Sequence, residues 1–109
     1  MLRSAPSFEA IQRSGEVRAH PLLLFRYLGN DLSRVRWGFS TGKRVGGAVT
    51  RNRVRRRLRE AARDVLPQIR EGWDIMLVAR PPSAAARTGE LHAAIVDLAR
   101  RAGLLKAGA

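Results

Sequence analysis

The chain has 109 residues, 45% hydrophobic and 28% charged, with 21 Lys and Arg against 9 Asp and Glu and a formal net charge of +12. That length suits one compact domain and is short for two. Patterned apolar blocks exclude a disordered basic tail, no apolar run approaches the roughly 20 residues of a membrane span, and the absence of cysteine excludes disulfides and thiolate metal sites.

Residues 1–15 lack the apolar core of a secretion signal, so a soluble cytoplasmic protein is expected. Ser4 or Ser7 can cap a first short helix, with Pro6 in its opening turn and Gly15 as its stop. Phe8 and Ile11 stand three apart on one face of it. Phe8 reads first as a core anchor, with stacking on a base as the alternative. Residues 22–28 (LLLFRYL) suit a strand, and Gly29-Asn30-Asp31 supplies turn chemistry. Residues 34–41 alternate, with Val35, Trp37 and Phe39 pointing one way and Arg34, Arg36, Gly38 and Ser40 the other. The economical expectation is a hairpin of these two strands, its arginine face either solvated or an extension of a basic patch.

Gly46-Gly47 breaks the pattern, and Thr50 stands as the N-cap of a helix over residues 51–66. Val54, Leu58, Ala61, Ala62, Val65 and Leu66 form one stripe of that helix and must bury against the sheet. Pro67 disfavours helical geometry at Leu66 and ends it. Residues 73–79 (WDIMLVA) read as a strand buried on both faces, closed by Arg80-Pro81-Pro82. A last helix is expected from about Thr88, with Leu91, Ala94, Ile95 and Leu98 on one face. The order α-β-β-α-β-α fits an α+β or α/β sandwich, a small mixed sheet packed with helices in one domain over residues 1–109.

Residues 43–63 hold nine cations (Lys43, Arg44, Arg51, Arg53, Arg55, Arg56, Arg57, Arg59, Arg63) and one acid, Glu60. Crowding of like charge opposes folding, which points to an outside polyanion, nucleic acid or an anionic membrane surface. On a helical projection the polar half of the central helix splits into two flanks. Asn52, Arg55, Arg56, Arg59 and Arg63 contain no acid, whereas Arg53, Arg57, Glu60 and Asp64 interleave opposite charges as a salt-bridged solvent face. Cations near a helix start oppose the macrodipole, and bound phosphates reverse that term. Arginine forks match phosphate oxygens, Asn52 offers an amide to a base or ribose, and Lys43 and Arg44 lie just before the helix. RNA or DNA binding follows. A membrane surface ranks last, because the stripe carries alanines rather than bulky aromatics and has a sheet to cover it.

No catalytic constellation is visible. His20 and His92 have no partner beside them in sequence, and Glu60 and Asp64 sit among arginines, which favours ion pairing over metal binding. Gly38-x-x-x-Gly42-Lys43 is one residue short of a phosphate-binding loop and lacks Ser or Thr after the lysine.

The run from Gly38 to Glu60 closely resembles the signature of the bacterial ribonuclease P protein component. The matching features are Lys43-Arg44, the step from Gly46 to Val49, Arg51-Asn52-Arg53, the basic pair Arg55-Arg56, and Arg59-Glu60. LRSAPSFEAIQRSG resembles that family's N-terminal helix and WDIMLVARP its third strand, so the resemblance spans nearly the whole chain. It implies one protein subunit, in a 1:1 complex, of an endoribonuclease whose large catalytic RNA holds the Mg²⁺ ions. That complex removes the 5′ leader of precursor tRNA.

The resemblance also implies that the arginine-rich helix faces the catalytic RNA and that a cleft between the first helix and the sheet holds the leader. It implies a left-handed strand–helix–strand crossover, where pattern alone would give a right-handed one. Carried over, Lys43, Arg44, Arg51, Asn52, Arg53, Arg55, Arg56 and Arg59 are RNA contacts and Phe8 is the cleft aromatic. Arg53 is the one residue where the flank argument and the resemblance disagree. Gln12 stands where a second cleft aromatic often occurs, so the resemblance implies either weaker stacking on the leader or a load moved to Phe25 or Tyr27. No catalytic or metal-binding residue is assigned to the protein. The alternative is a structural RNA-binding protein of ribosomal type without a role in cleavage.

Overall fold

The computed structural model describes residues 8–107, the side chains of Phe8 and Ser14 excepted. The expected caps Ser4 or Ser7, the expected place of Pro6 in the opening turn, and the roles expected of the Phe8 side chain therefore lie outside the described residues. Helix α1 spans Phe8–Ser14. The Gly15 amide donates to the Ile11 carbonyl at 2.8 Å. A Cβ at Gly15 would stand 2.5 Å from that carbonyl oxygen and 2.8 Å from that of Tyr27, so only glycine lets the chain turn here.

Four strands follow: β1 (Glu16–Ala19), β2 (Leu23–Gly29), β3 (Val35–Ser40) and β4 (Trp73–Ala79), in the spatial order β1-β2-β4-β3. Strand β2 pairs antiparallel with β1 and with β4, and β3 runs parallel to β4. The expected β2–β3 hairpin does not form. Strand β4 takes the place between them, because Ile75, Met76 and Leu77 are buried on both of its faces and a strand of that kind needs neighbours on each side. The segment leaving β2 wraps the end of β4 instead. The Asn30 amide donates to Gly72 O at 2.8 Å, and the Gly72 amide to Arg34 O at 3.0 Å. Strand β1, four largely exposed residues (EVRA), was not expected; it is the arm that hairpins onto β2 around His20 and Leu23.

Helix α2 (Ala48–Val65) forms the crossover from β3 to β4, and α3 (Thr88–Ala102) packs beside it. Val54, Leu58, Ala61, Ala62 and Val65 of α2 meet Leu91, Ala94, Ile95 and Leu98 of α3 over Leu23, Phe25, Tyr27, Ile75 and Leu77 of the sheet. Both expected stripes are therefore core, except that Leu66 is exposed. Leu66 also keeps helical angles (φ −48°, ψ −45°), and Pro67 sits inside one further 3₁₀ turn over Leu66–Gln68 rather than stopping the chain at once.

The opposite sheet face carries three cross-strand rows set by the register: Leu28–Asp74–Arg36, Arg26–Met76–Gly38 and Leu24–Val78–Ser40. Helix α1 covers part of it through Ile11, which is 1% exposed. Arg36 here is neither solvated nor part of a basic patch. Its Nε donates to Asp74 Oδ1 at 2.8 Å and its Nη2 to Oδ2 at 2.7 Å, while Asn30 Nδ2 donates to Oδ1 at 2.7 Å. Burial pushes the Asp74 carboxyl up, but the hydrogen bonds from Arg36 and Asn30 outweigh it and hold the group below the ordinary carboxylate value.

Candidate nucleic-acid interface

A 3₁₀ turn over Lys43–Val45 leads into α2, anchored by buried Val45 and by Val45 N–H donation to Gly42 O at 3.1 Å. It leaves Lys43 and Arg44 exposed immediately before the helix. The N-cap is Gly47, in extended geometry with no side-chain cap, and the Arg51 amide closes on Gly47 O at 2.9 Å. The helix thus starts three residues earlier than expected, and Thr50 lies within its first turn instead of capping it. Gly46 has φ +152°, and a Cβ there would stand 2.9 Å from Thr50 Cγ2. Thr50 packs against that glycine. The first turn of α2 contains no acid, so its opening amides and their dipole face a positive surface.

The structure separates the α2 arginines by what they touch. Arg53 Nη2 donates to Ala84 O at 3.2 Å and Arg57 Nη1 to Ala86 O at 2.7 Å, so this flank clamps the 3₁₀ turn over Pro81–Ala85. The salt-bridged face expected there does not form. Among the described residues the ion pairs are Arg18–Glu16, Arg36–Asp74 and Arg101–Asp97, and neither Glu60 nor Asp64 joins one. A nearby backbone carbonyl competes well for a guanidinium when the alternative is an exposed ion pair of small net value.

On the other flank Arg55 donates to Asn52 Oδ1 at 3.1 Å and to Thr41 Oγ1 at 2.8 Å, both neutral partners that leave its charge in place. Arg56, Arg59 and Arg63 are exposed, with no acceptor among the described residues. Arg51 buries its Nε without an acceptor among the described residues. The structure therefore brings Lys43, Arg44, Arg51, Asn52, Arg55, Arg56 and Arg59 to one continuous end and side of α2, and turns Arg53 toward the loop.

A concavity of about 350 Å³ lies on the α1 face of the sheet among Leu24, Ser40, Arg44, Val78, Arg80 and Pro81. Its floor is the Leu24–Val78–Ser40 row, and Arg44 joins it to the surface before α2. Phe25 and Tyr27 do not line it. Both are buried on the other face beneath α2 and α3, because strand alternation sends Leu24 and Arg26 this way and the aromatics the opposite way. Two arginines over an aliphatic floor suit an extended anionic strand better than a compact ligand.

Among the described residues no three of His, Asp and Glu gather to hold a metal ion, and no helix is long and apolar enough to cross a membrane.

The family model described as Ribonuclease P matches residues 1–103. The ribonuclease P protein component of Roseiflexus sp. (strain RS-1) is 42% identical over 107 residues, covering 97% of this chain and 88% of that one. That of Symbiobacterium thermophilum is 35% identical over 106 residues, covering 96% and 92%. The solved RNase P protein of Staphylococcus aureus is 25% identical at a TM-score of 0.80 and covers 91% of each chain. The RNase P protein from Thermotoga maritima, 22% identical, shares the fold at a TM-score of 0.80 over 93% of this chain and 94% of that one. Matched over nearly all its length by one family model, and by relatives well above 30% identity, the chain belongs to the bacterial ribonuclease P protein component family and so to a ribonucleoprotein of tRNA processing.

Proposed function

We propose that this chain binds the RNA subunit of ribonuclease P through the basic surface of α2 and guides the 5′ leader of precursor tRNA along the α1 face of the sheet, promoting removal of the leader. The observation that carries this reading is the set of guanidinium groups on α2 with no acceptor among the described residues, Arg56, Arg59 and Arg63, next to exposed Lys43 and Arg44. Left unpaired, this much positive charge on one surface opposes folding, and phosphates answer it. Asn52 and Arg55 add hydrogen-bonding groups between these charges, and Arg53 contributes through the donors not committed to Ala84.

In this reading the protein supplies no catalytic group. The RNA subunit holds the Mg²⁺ ions of cleavage, one protein serves one RNA, and the complex works in the cytoplasm. Phe8, at the start of α1, is the stacking residue for the leader. The described strand residues on the α1 face are aliphatic or polar, so the sheet itself offers the leader no second ring.

Reconstitution tests the proposal. Adding the protein to its cognate RNA subunit at low Mg²⁺ is expected to raise the rate of leader removal from a precursor tRNA. A rate unchanged by the protein overturns it.

A further inference from the structure

The apolar face of the sheet ends abruptly at β3. This strand lies at the edge among the described residues, with β4 on one side and no described strand on the other. Trp37 and Phe39 point to the α2 side, yet both are only partly buried, whereas their register partners Ile75 and Leu77 are 0% exposed. Opposite them α2 presents Arg59, Ala62 and Arg63, and Leu66, its C-cap, continues the same stripe. Together these six residues line a groove of about 260 Å³. Two aromatic rings form one wall, Arg59 and Arg63 stand over it, and no acid lines it.

We propose that this groove is a stacking site for one unpaired nucleobase of the ribonuclease P RNA, with Trp37 as the platform and Arg59 and Arg63 holding the phosphates on either side. The proposal rests on the reading that α2 faces that RNA. The groove is smaller than the pockets of about 300–1,000 Å³ that hold drug-sized ligands, which suits one planar group and not a whole cofactor. An apolar peptide side chain would cover the rings but leave both guanidinium groups without a counter-charge. A base flanked by phosphates satisfies both at once. The base has to be unpaired, since duplex bases are already stacked and present only their edges.

The indole Nε1 of Trp37 adds a drive of its own, because it is buried without a hydrogen-bond partner among the described residues. A small rotation of the ring toward an incoming base carbonyl or phosphate oxygen would satisfy that donor. The groove lies on the α2 side of the sheet, across it from α1. The RNA that meets α2 can reach it, and a leader lying on the α1 face cannot.

The chain has two tryptophans, so a Trp73→Phe protein reports on Trp37 alone. Titrating that full-length protein with the ribonuclease P RNA subunit is expected to quench Trp37 emission, and inorganic triphosphate is expected to leave it unchanged. A Trp37→Leu variant is expected to bind the RNA subunit about 5- to 100-fold more weakly, and Trp37→Phe to keep much of the affinity.

Normal binding that is weakened by Arg56→Ala, with Trp37 emission unchanged and Trp37→Leu binding at full strength, overturns the groove and leaves the α2 reading intact. Equal quenching by triphosphate also overturns stacking. Loss of all RNA binding by the Trp73→Phe protein and by the unaltered chain overturns the underlying reading. Because the emission experiment leaves Trp37 in place, it decides the matter even if Trp37→Leu fails to fold.

Discussion

Arg56 and Arg57 are neighbours in the chain with opposite commitments. Arg57 gives a hydrogen bond to the carbonyl of buried Ala86, and Arg56 gives none among the described residues. Replacing Arg56 or Arg59 by Ala should hold or slightly raise the melting temperature, since it relieves like-charge repulsion, and should weaken RNA binding. Each lost phosphate contact should flatten the log–log salt dependence by about 0.7 on a single strand or about 0.9 on a duplex. Arg57→Ala should show the reverse, a loss of about 1–3 kcal/mol in urea unfolding from the orphaned carbonyl, with little change in salt slope. The contrast between the two was legible as a difference of helix flanks, but its cause was not. Glu60 and Asp64 looked like partners at the right spacing, and no sequence pattern shows that the Pro81–Ala85 turn passes close enough to capture both Arg53 and Arg57.

At Asp74, removing one member of a largely buried ion pair leaves the Arg36 charge uncompensated, so Asp74→Asn should cost about 3 kcal/mol. The folded carboxyl titrates below its ordinary value of 3.8. Its contribution is therefore fully present above that value and is lost as the pH falls through the lowered one. Urea midpoints measured from pH 5 downward should fall less steeply in Asp74→Asn than in the unaltered chain. The pair itself was hidden, since Arg36 and Asp74 become neighbours only once β3 lies beside β4.

Among the elements, α2 was the most legible, because an apolar stripe at helical spacing survives any tertiary context. Its beginning was not, since Gly47 caps it with backbone alone and leaves no side-chain signal. Gly46 fixes that beginning twice, through its positive φ and through its closeness to Thr50. Gly46→Ala should cost about 1–3 kcal/mol. Adding Thr50→Ala should recover the steric part and leave the backbone part, measurable as a double-mutant cycle in urea. Strands β2, β3 and β4 were found, but the first two were wrongly paired with each other. The doubly apolar run of β4 already implied a place between two neighbours, yet the short link between β2 and β3 favoured joining those two directly. Strand β1 gave no apolar alternation to read. The cleft followed the same logic: once β2's neighbours are known, Phe25 and Tyr27 fall under the helices and the leader face is left aliphatic.

At the scale of the whole molecule, a net charge of +12 sits in a body with a radius of gyration of 13.0 Å. An ordinary domain of this length has about 13 Å, so the repulsion is expressed in stability and not in swelling. The melting temperature should accordingly rise as the RNA subunit is added, in proportion to the logarithm of its concentration above the dissociation constant. The crossover position of α2 also dictates an order of assembly. Parallel pairing of β3 with β4 cannot close until the thirty-odd residues between them, α2 included, have been folded back. The step that gathers the arginines is thus the step that closes the long loop, where the entropy of non-local contact already makes folding slow. Refolding should accelerate when micromolar inorganic triphosphate is present, by stopped-flow tryptophan emission, while unfolding changes little. The polyanion would then act as a kinetic partner of the chain before it is a bound one.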